Sequence, residues 1–137
     1  MEKSDFKNYR ALVIEVQQLR EQLAVLESSL YSAKGQRFSS TPRGPSDYRA
    51  TMDGAVDRHI KLVELYTGEL AEKEAKQLAI EQAIMSLGET PERVIMRELY
   101  IFGRSWPAVL TKMQKMGYSE RTTYRLHGYA LLRLKEV

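Results

Sequence analysis

The stretch MGYSERTTYR, residues 116–125, brings a glycine, a serine and a run of arginine, threonine and tyrosine side chains together in ten residues. These side chains suit recognition better than bond-making. Arginine can fork onto guanine, threonine offers a hydroxyl and a methyl, and glutamate can accept from the cytosine amine. Ser119 reads as a helix cap, and a capped helix N-terminus can face a phosphate. If Thr123, Leu126, Ala130, Leu131 and Leu134 turn inward, Glu120, Arg121, Tyr124 and Arg125 turn outward, with Thr122 at the edge. Arg104, Lys112 and Lys115 flank this set as cations able to position a sugar-phosphate backbone. The same residues also fit the polar face of an ordinary three-helix domain.

Other chemistry finds little support. The chain has no cysteine, which removes disulfides, zinc-thiolate sites and cysteine nucleophiles together. No phosphate loop, nucleophile elbow or paired acid–base motif is visible, so neither an enzyme nor a cofactor is expected. His59 and His127 lie far apart without carboxylates at ligand spacing, so no metal site is expected. Trp106 reads as a core anchor rather than a stacking platform.

The elements that would carry these residues are helices. From Tyr9 the apolar positions run Leu12, Val16, Leu19, Leu23, Leu26, Leu30 and Ala33 in alternating steps of three and four, a coiled-coil seam. So narrow a stripe needs another helix to cover it. The segment 34–47, KGQRFSSTPRGPSD, holds Gly35, Pro42, Gly44 and Pro45 and reads as a connector rather than a nucleic-acid-contacting loop. A second long helix, from about Tyr48 to Leu87, carries a weaker seam from Met52 through Val56, Val63, Tyr66, Leu70, Ile80 and Ile84, interrupted by His59, Lys73 and Gln77. The two helices most simply fold back as an antiparallel hairpin; pairing with a second chain is the competing arrangement, and the pattern does not choose.

Residues 88–93, GETPER, read as a hinge, with Thr90 as cap and Pro91 as first helical residue. Three short helical patterns follow. Residues 92–102 are apolar at Val94, Ile95, Leu99 and Phe102 and stop at Gly103. Ser105 then caps WPAVLTKMQKM, and Ser119 caps the last helix after Gly117. Two helices, a glycine-containing turn and a capped final helix describe a helix-turn-helix, whose last helix enters the major groove by its first turn.

Composition agrees with one or two small helical domains. Hydrophobic residues make up 43% of the 137 and charged residues 28%, which fits neither a disordered chain nor a membrane protein. No run of eighteen apolar residues appears, and MEKSDFKNYR is unlike a secretory signal, so a cytoplasmic address is expected. Residues 91–137 hold nine basic and four acidic side chains, while residues 1–90 carry a net charge of −2. That asymmetry points the C-terminal part at a polyanion.

Residues 103–134, GRSWPAVLTKMQKMGYSERTTYRLHGYALLRL, resemble the DNA-binding region four of bacterial sigma factors. They are more similar still to small sigma-like regulators of phages and prophages in Gram-positive bacteria, including the ArpU type of late-transcription regulator. Gly103, Ser105 and Trp106, the turn Gly117-Tyr118-Ser119, and Tyr124 to Gly128 with Ala130 and Leu134 carry the resemblance. Thr123 stands where valine is usual. The helix opened by Trp106 is about three residues longer than usual, which puts Leu110 or Met113 where a small alanine is customary. The sigma regions that open promoter DNA have no counterpart.

The helical patterns and the resemblance together describe an all-α protein: a coiled-coil helical hairpin over residues 1–88, then a sigma-region-four-like helix-turn-helix over 89–137. Its implied function is a sequence-specific, duplex-DNA-binding transcription regulator in the cytoplasm of a bacterial host cell. Leu12, Val16, Leu19, Leu23, Leu26 and Leu30 would join copies into a homo-oligomer, a dimer first. RNA polymerase is a further expected partner; a membrane is not. A DNA-packaging recognition subunit of small-terminase type and a helical adaptor that binds polymerase without touching DNA are the competing expectations.

Overall fold

The computed structural model describes the backbone of residues 1–36 and 45–136, and side chains at 1–29 and 54–136. Every described element is helical: α1 (Lys3–Lys7), α2 (Tyr9–Gln36), α3 (Pro45–Met85), α4 (Pro91–Met96), a π-helical segment (Arg97–Ile101) continuing α4, α5 (Trp106–Lys115) and α6 (Glu120–Leu134). The chain forms two compact units, one of residues 15–74 and one joining 1–14 to 75–137. This differs from the expected division at residue 88. The N-terminal residues and the last turns of α3 belong with α4 to α6 because they share a core.

In the unit of residues 15–74 the heptad stripe is covered by the chain itself. Val16, Leu19 and Leu23 are buried and Leu26 half-buried. On α3, Val63, Tyr66, Leu70 and Lys73 are half-buried, and Tyr66 and Lys73 line one cleft with Leu19 and Gln22 of α2. Lys73 Nζ donates to Glu15 Oε2 at 2.6 Å, and Arg20 pairs with Glu74 at 2.9 Å. Residues 15 and 73 therefore meet, while eight residues join Gln36 to Pro45, so the two helices run antiparallel. Lys73, an interruption in the sequence pattern, satisfies its charge at the edge of the seam. The helices extend into the expected connector from both sides, and Pro45 occupies the first position of α3, where its missing N–H is no loss. Leu30, Ala33 and Met52 lie outside the described side chains, as does the connector centre, 37–44.

Of the residues expected to join copies, Val16, Leu19 and Leu23 are buried and Leu12 and Leu26 half-buried within the single chain, and Leu30 lies outside the described side chains.

The other unit has two apolar clusters. Phe6, Tyr9, Ile80, Ala83, Ile84 and Leu87 meet Met96, Tyr100, Ala130 and Leu134 in the larger one. Ile95, Val109 and Met113 form the smaller, flanked by Trp106, Tyr118 and Leu126. Tyr9 hydrogen-bonds to Glu81 at the edge of the larger cluster, and burial with that carboxylate raises its hydroxyl pKa to about 12. The short helix α1 was not legible because Asn8 breaks the periodicity after five residues; Phe6 is its one buried side chain.

Thr90 caps α4 as expected, accepting from Arg93 N at 3.3 Å, with Pro91 next. The helix then widens. Phe102 N donates to Arg97 O five residues back, at 2.9 Å, and the extra residue per turn shifts every side chain from the α-helical expectation. Phe102, one of the apolar positions of this stretch, is 53% exposed, while Glu98 and Tyr100 are buried. Gly103 (φ +66°) follows; a Cβ there would stand 3.2 Å from Arg10 Nε, and Arg10 itself donates to Ile101 O at 2.9 Å. Only glycine allows both that backbone conformation and that approach.

Leu19→Ala should cost about 2–5 kcal/mol of stability, the range for a truncated core leucine. Thermal unfolding of the variant over a wide range of protein concentration checks the pairing. A transition that moves with concentration in wild type, and a variant that dissociates without unfolding, would place the seam between chains instead.

Candidate nucleic-acid interface

Helices α5 and α6 are joined by Met116 to Ser119. Met116 N and Gly117 N close the end of α5 on Met113 O and Gln114 O, each at 3.0 Å, and Tyr118 N reaches back to Met113 O at 2.9 Å. Gly117 takes φ +93°, which lets the chain reverse within this short link. Ser119 then caps α6: its Oγ accepts from Thr122 N at 3.2 Å and donates to Thr122 Oγ1 at 2.9 Å. Ser105 stands at the cap position of α5, but its side chain makes no cap hydrogen bond, contrary to expectation.

The inward face of α6 is Thr123, His127, Ala130 and Leu134, all buried, with Leu126 and Leu131 half-buried. This is the expected set with His127 added. Thr123 is fully buried, and its Oγ1 donates to Ser119 O at 2.9 Å, so its hydroxyl is satisfied locally. Tyr100 Oη and His127 Nε2 share a buried hydrogen bond of 2.8 Å. The indole of Trp106 meets the imidazole edge-on, with ring centroids 4.9 Å apart. Burial, and to a lesser extent the charge of Lys3, lowers the His127 pKa to about 4. The neutral ring is thus a core element.

The outward face follows. Glu120, Arg121 and Arg125 are exposed, and among the described residues neither arginine has an ion-pair partner. Thr122 is half-buried and engaged with the cap. Tyr124 is 45% exposed, but its ring lies 4.8 Å from that of Trp106, so it is held against α5 rather than extended freely. Trp106 is the expected anchor, packing against the smaller cluster.

The flanking cations divide into two kinds. Lys115 is exposed in the last turn of α5, where the helix dipole favours it. Arg104 and Lys112 converge instead on Glu98, a buried carboxylate that sequence reading overlooked. Its signal was present as an acid within an apolar helical pattern, but the widened helix that turns it inward has no sequence signature. Arg133 pairs with Glu92 at 2.7 Å, tying α6 to α4.

No family model, curated protein or solved structure matches the chain. The outward face of α6 offers two uncommitted guanidinium groups and a carboxylate on the first two turns of a capped helix whose opposite face is core. No group of three or more potential metal ligands occurs among the described residues.

Because folding holds His127 neutral with its pKa depressed from 6.5, the unfolded chain binds the extra proton first. Stability from this residue is complete above about pH 6.5 and falls as the pH drops toward 4. His127→Gln should remove that slope between pH 6.5 and 5, measured by denaturant unfolding at fixed pH. Thr123→Val should change stability by less than about 1 kcal/mol, since Ser119 O keeps its bond from Thr123 N. A loss well above that in calorimetry would mean the hydroxyl matters beyond its local bond.

Proposed function

We propose that this protein is a sequence-specific, duplex-DNA-binding transcription regulator of the phage and prophage type. In this reading α5 and α6 form a sigma-region-four-like helix-turn-helix, and α2 and α3 a coiled-coil hairpin that carries it. One observation bears most of the weight. Arg121 and Arg125 stand exposed, without ion-pair partners among the described residues, on a helix whose other face is fixed in the core. On the same helix Arg133 is tied to Glu92 of α4, whereas Arg121 and Arg125 have no such partner among the described residues. Two unpaired ones four residues apart, beside a capped helix start, suit the bidentate reading of guanine edges. The net charge of +5 over residues 91–137 suits a polyanion on the same unit.

Tyr124 has a different part from the arginines in this scheme. Held by Trp106, it fixes the angle of the recognition turn and leaves Glu120, Arg121 and Arg125 to face the bases. A second copy would double the phosphate contacts and set two half-sites at helical spacing, joined through residues other than the buried Val16–Leu23 stripe. Contact with RNA polymerase is the natural route from binding to regulation, in the cytoplasm of a host bacterium.

The test is selection from a random duplex library with wild type and with Arg121→Ala/Arg125→Ala. Wild type should enrich a defined motif and the double variant should lose it, each single change weakening the preferred site by about 1–3 kcal/mol. If wild type enriches nothing, or the variant enriches the same motif, the recognition-helix assignment is wrong. A stable polymerase complex with no duplex binding would favour the adaptor role.

A further inference from the structure

The flanking cations of this unit are not equivalent, and the difference lies in a buried carboxylate. Glu98 is 3% exposed, on the π-helical segment. Lys112 Nζ donates to its Oε1. Its Oε2 stands 2.6 Å from Arg104 Nε yet accepts no well-aligned hydrogen bond, so that oxygen is held by charge rather than by directed bonding. The Arg104 guanidinium also lies 5.6 Å above the ring of Phe102. Both cationic side chains remain more than half exposed, at 57% for Arg104 and 52% for Lys112. One carboxylate is thus shared between two cations that look outward.

We propose that Glu98 acts as an internal stand-in for a DNA phosphate, holding Arg104 and Lys112 and so restraining the sequence-independent affinity of this surface. The inference rests on the duplex-DNA reading above and adds a specificity-determining residue to it. The cluster presents a net charge of +1 to its surroundings where two free cations would present +2. A phosphate that takes either cation must compete with a carboxylate already in contact. It cannot take both without leaving a buried carboxylate uncompensated, which is strongly unfavourable. Backbone attraction is common to all sequences, so weakening it raises the share of binding that comes from Arg121 and Arg125. The restraint needs no movement of the fold, because the carboxylate is fixed by the helix that carries it.

Glu98→Gln keeps the shape and removes the charge; Glu98→Met fills the same space without any polar group. Full-length variants are compared with wild type on a random-sequence duplex across a salt series, with thermal unfolding to verify the fold. Both should bind about three- to tenfold more tightly at low salt, with a salt slope steeper by about 0.9, the increment for one more phosphate contact. Adding Arg104→Ala/Lys112→Ala to either variant should abolish the gain. A merely structural Glu98 would lower the melting temperature and leave the salt slope where it was. Folded variants with wild-type affinity and slope overturn the proposal. If wild type itself shows no salt-dependent duplex binding, the DNA reading fails first. Elution from immobilised heparin then decides the restraint separately: elution of both variants at the wild-type salt concentration overturns it, and later elution supports it.

Discussion

Ile95 and Met96 are neighbours in the chain, neither has solvent exposure, and they belong to different apolar clusters. Met96 faces Phe6, Tyr9 and the last turns of α3; Ile95 faces Val109 and Met113 on α5. None of α1, α4, α5 or α6 is long enough to hold its shape in water unaided, the longest having 15 residues. Their stability comes from burying one stripe each, and the stripes converge on this two-residue junction. A helix places neighbouring residues about 100° apart, and that angle lets one short element serve two cores. The consequence for α6 is direct: it packs against α4, and its own face is thereby fixed relative to α5.

The candidate interface inherits its order from that packing. His127, Thr123, Ala130 and Leu134 settle which way α6 is turned, and the polar residues between them take what remains. Trp106 meets both His127 and Tyr124, so one indole contacts the core side and the outer side of the same helix. The arginines gain their exposure from core side chains several positions away. Where a cation is paired, as with Arg104, Lys112 and Arg133, the carboxylate comes from the α4 and π-helical stretch. That stretch is therefore both a packing hub and the source of negative charge opposite the basic helices.

Much of this was legible in the residues. The heptad steps located α2, and the inward set of α6 needed only one addition. The caps at Thr90 and Ser119 were placed by residue type, because their side chains bond backbone groups two or three positions away. What could not be read had physical causes. Leu12 to Leu30 form a stripe that demands a cover, but periodicity carries no label for whether the cover is the same chain. The domain boundary at residue 88 followed the glycine and proline, while the core ignores that hinge and gathers residues from both sides of it. Ser105 has the right type for a cap and does not act as one. Apolar Phe102 is exposed and acidic Glu98 buried, because the turn that carries them is wider than α-helical spacing.

The wide turn at Arg97–Ile101 also bears on how this chain should be laid beside others. A π-helical turn uses one more residue than an α-helical turn for nearly the same advance, so here it amounts to a single-residue insertion absorbed without a loop. A chain one residue shorter in this stretch would close to regular α-helix and rotate everything on one side of it by about 100°. An acid at the aligned position would then point elsewhere, and two basic residues identical in type would lose their shared anchor. In any alignment, a one-column gap between residues 97 and 101 would mark a change of electrostatic design, and identity counted across it would overstate likeness.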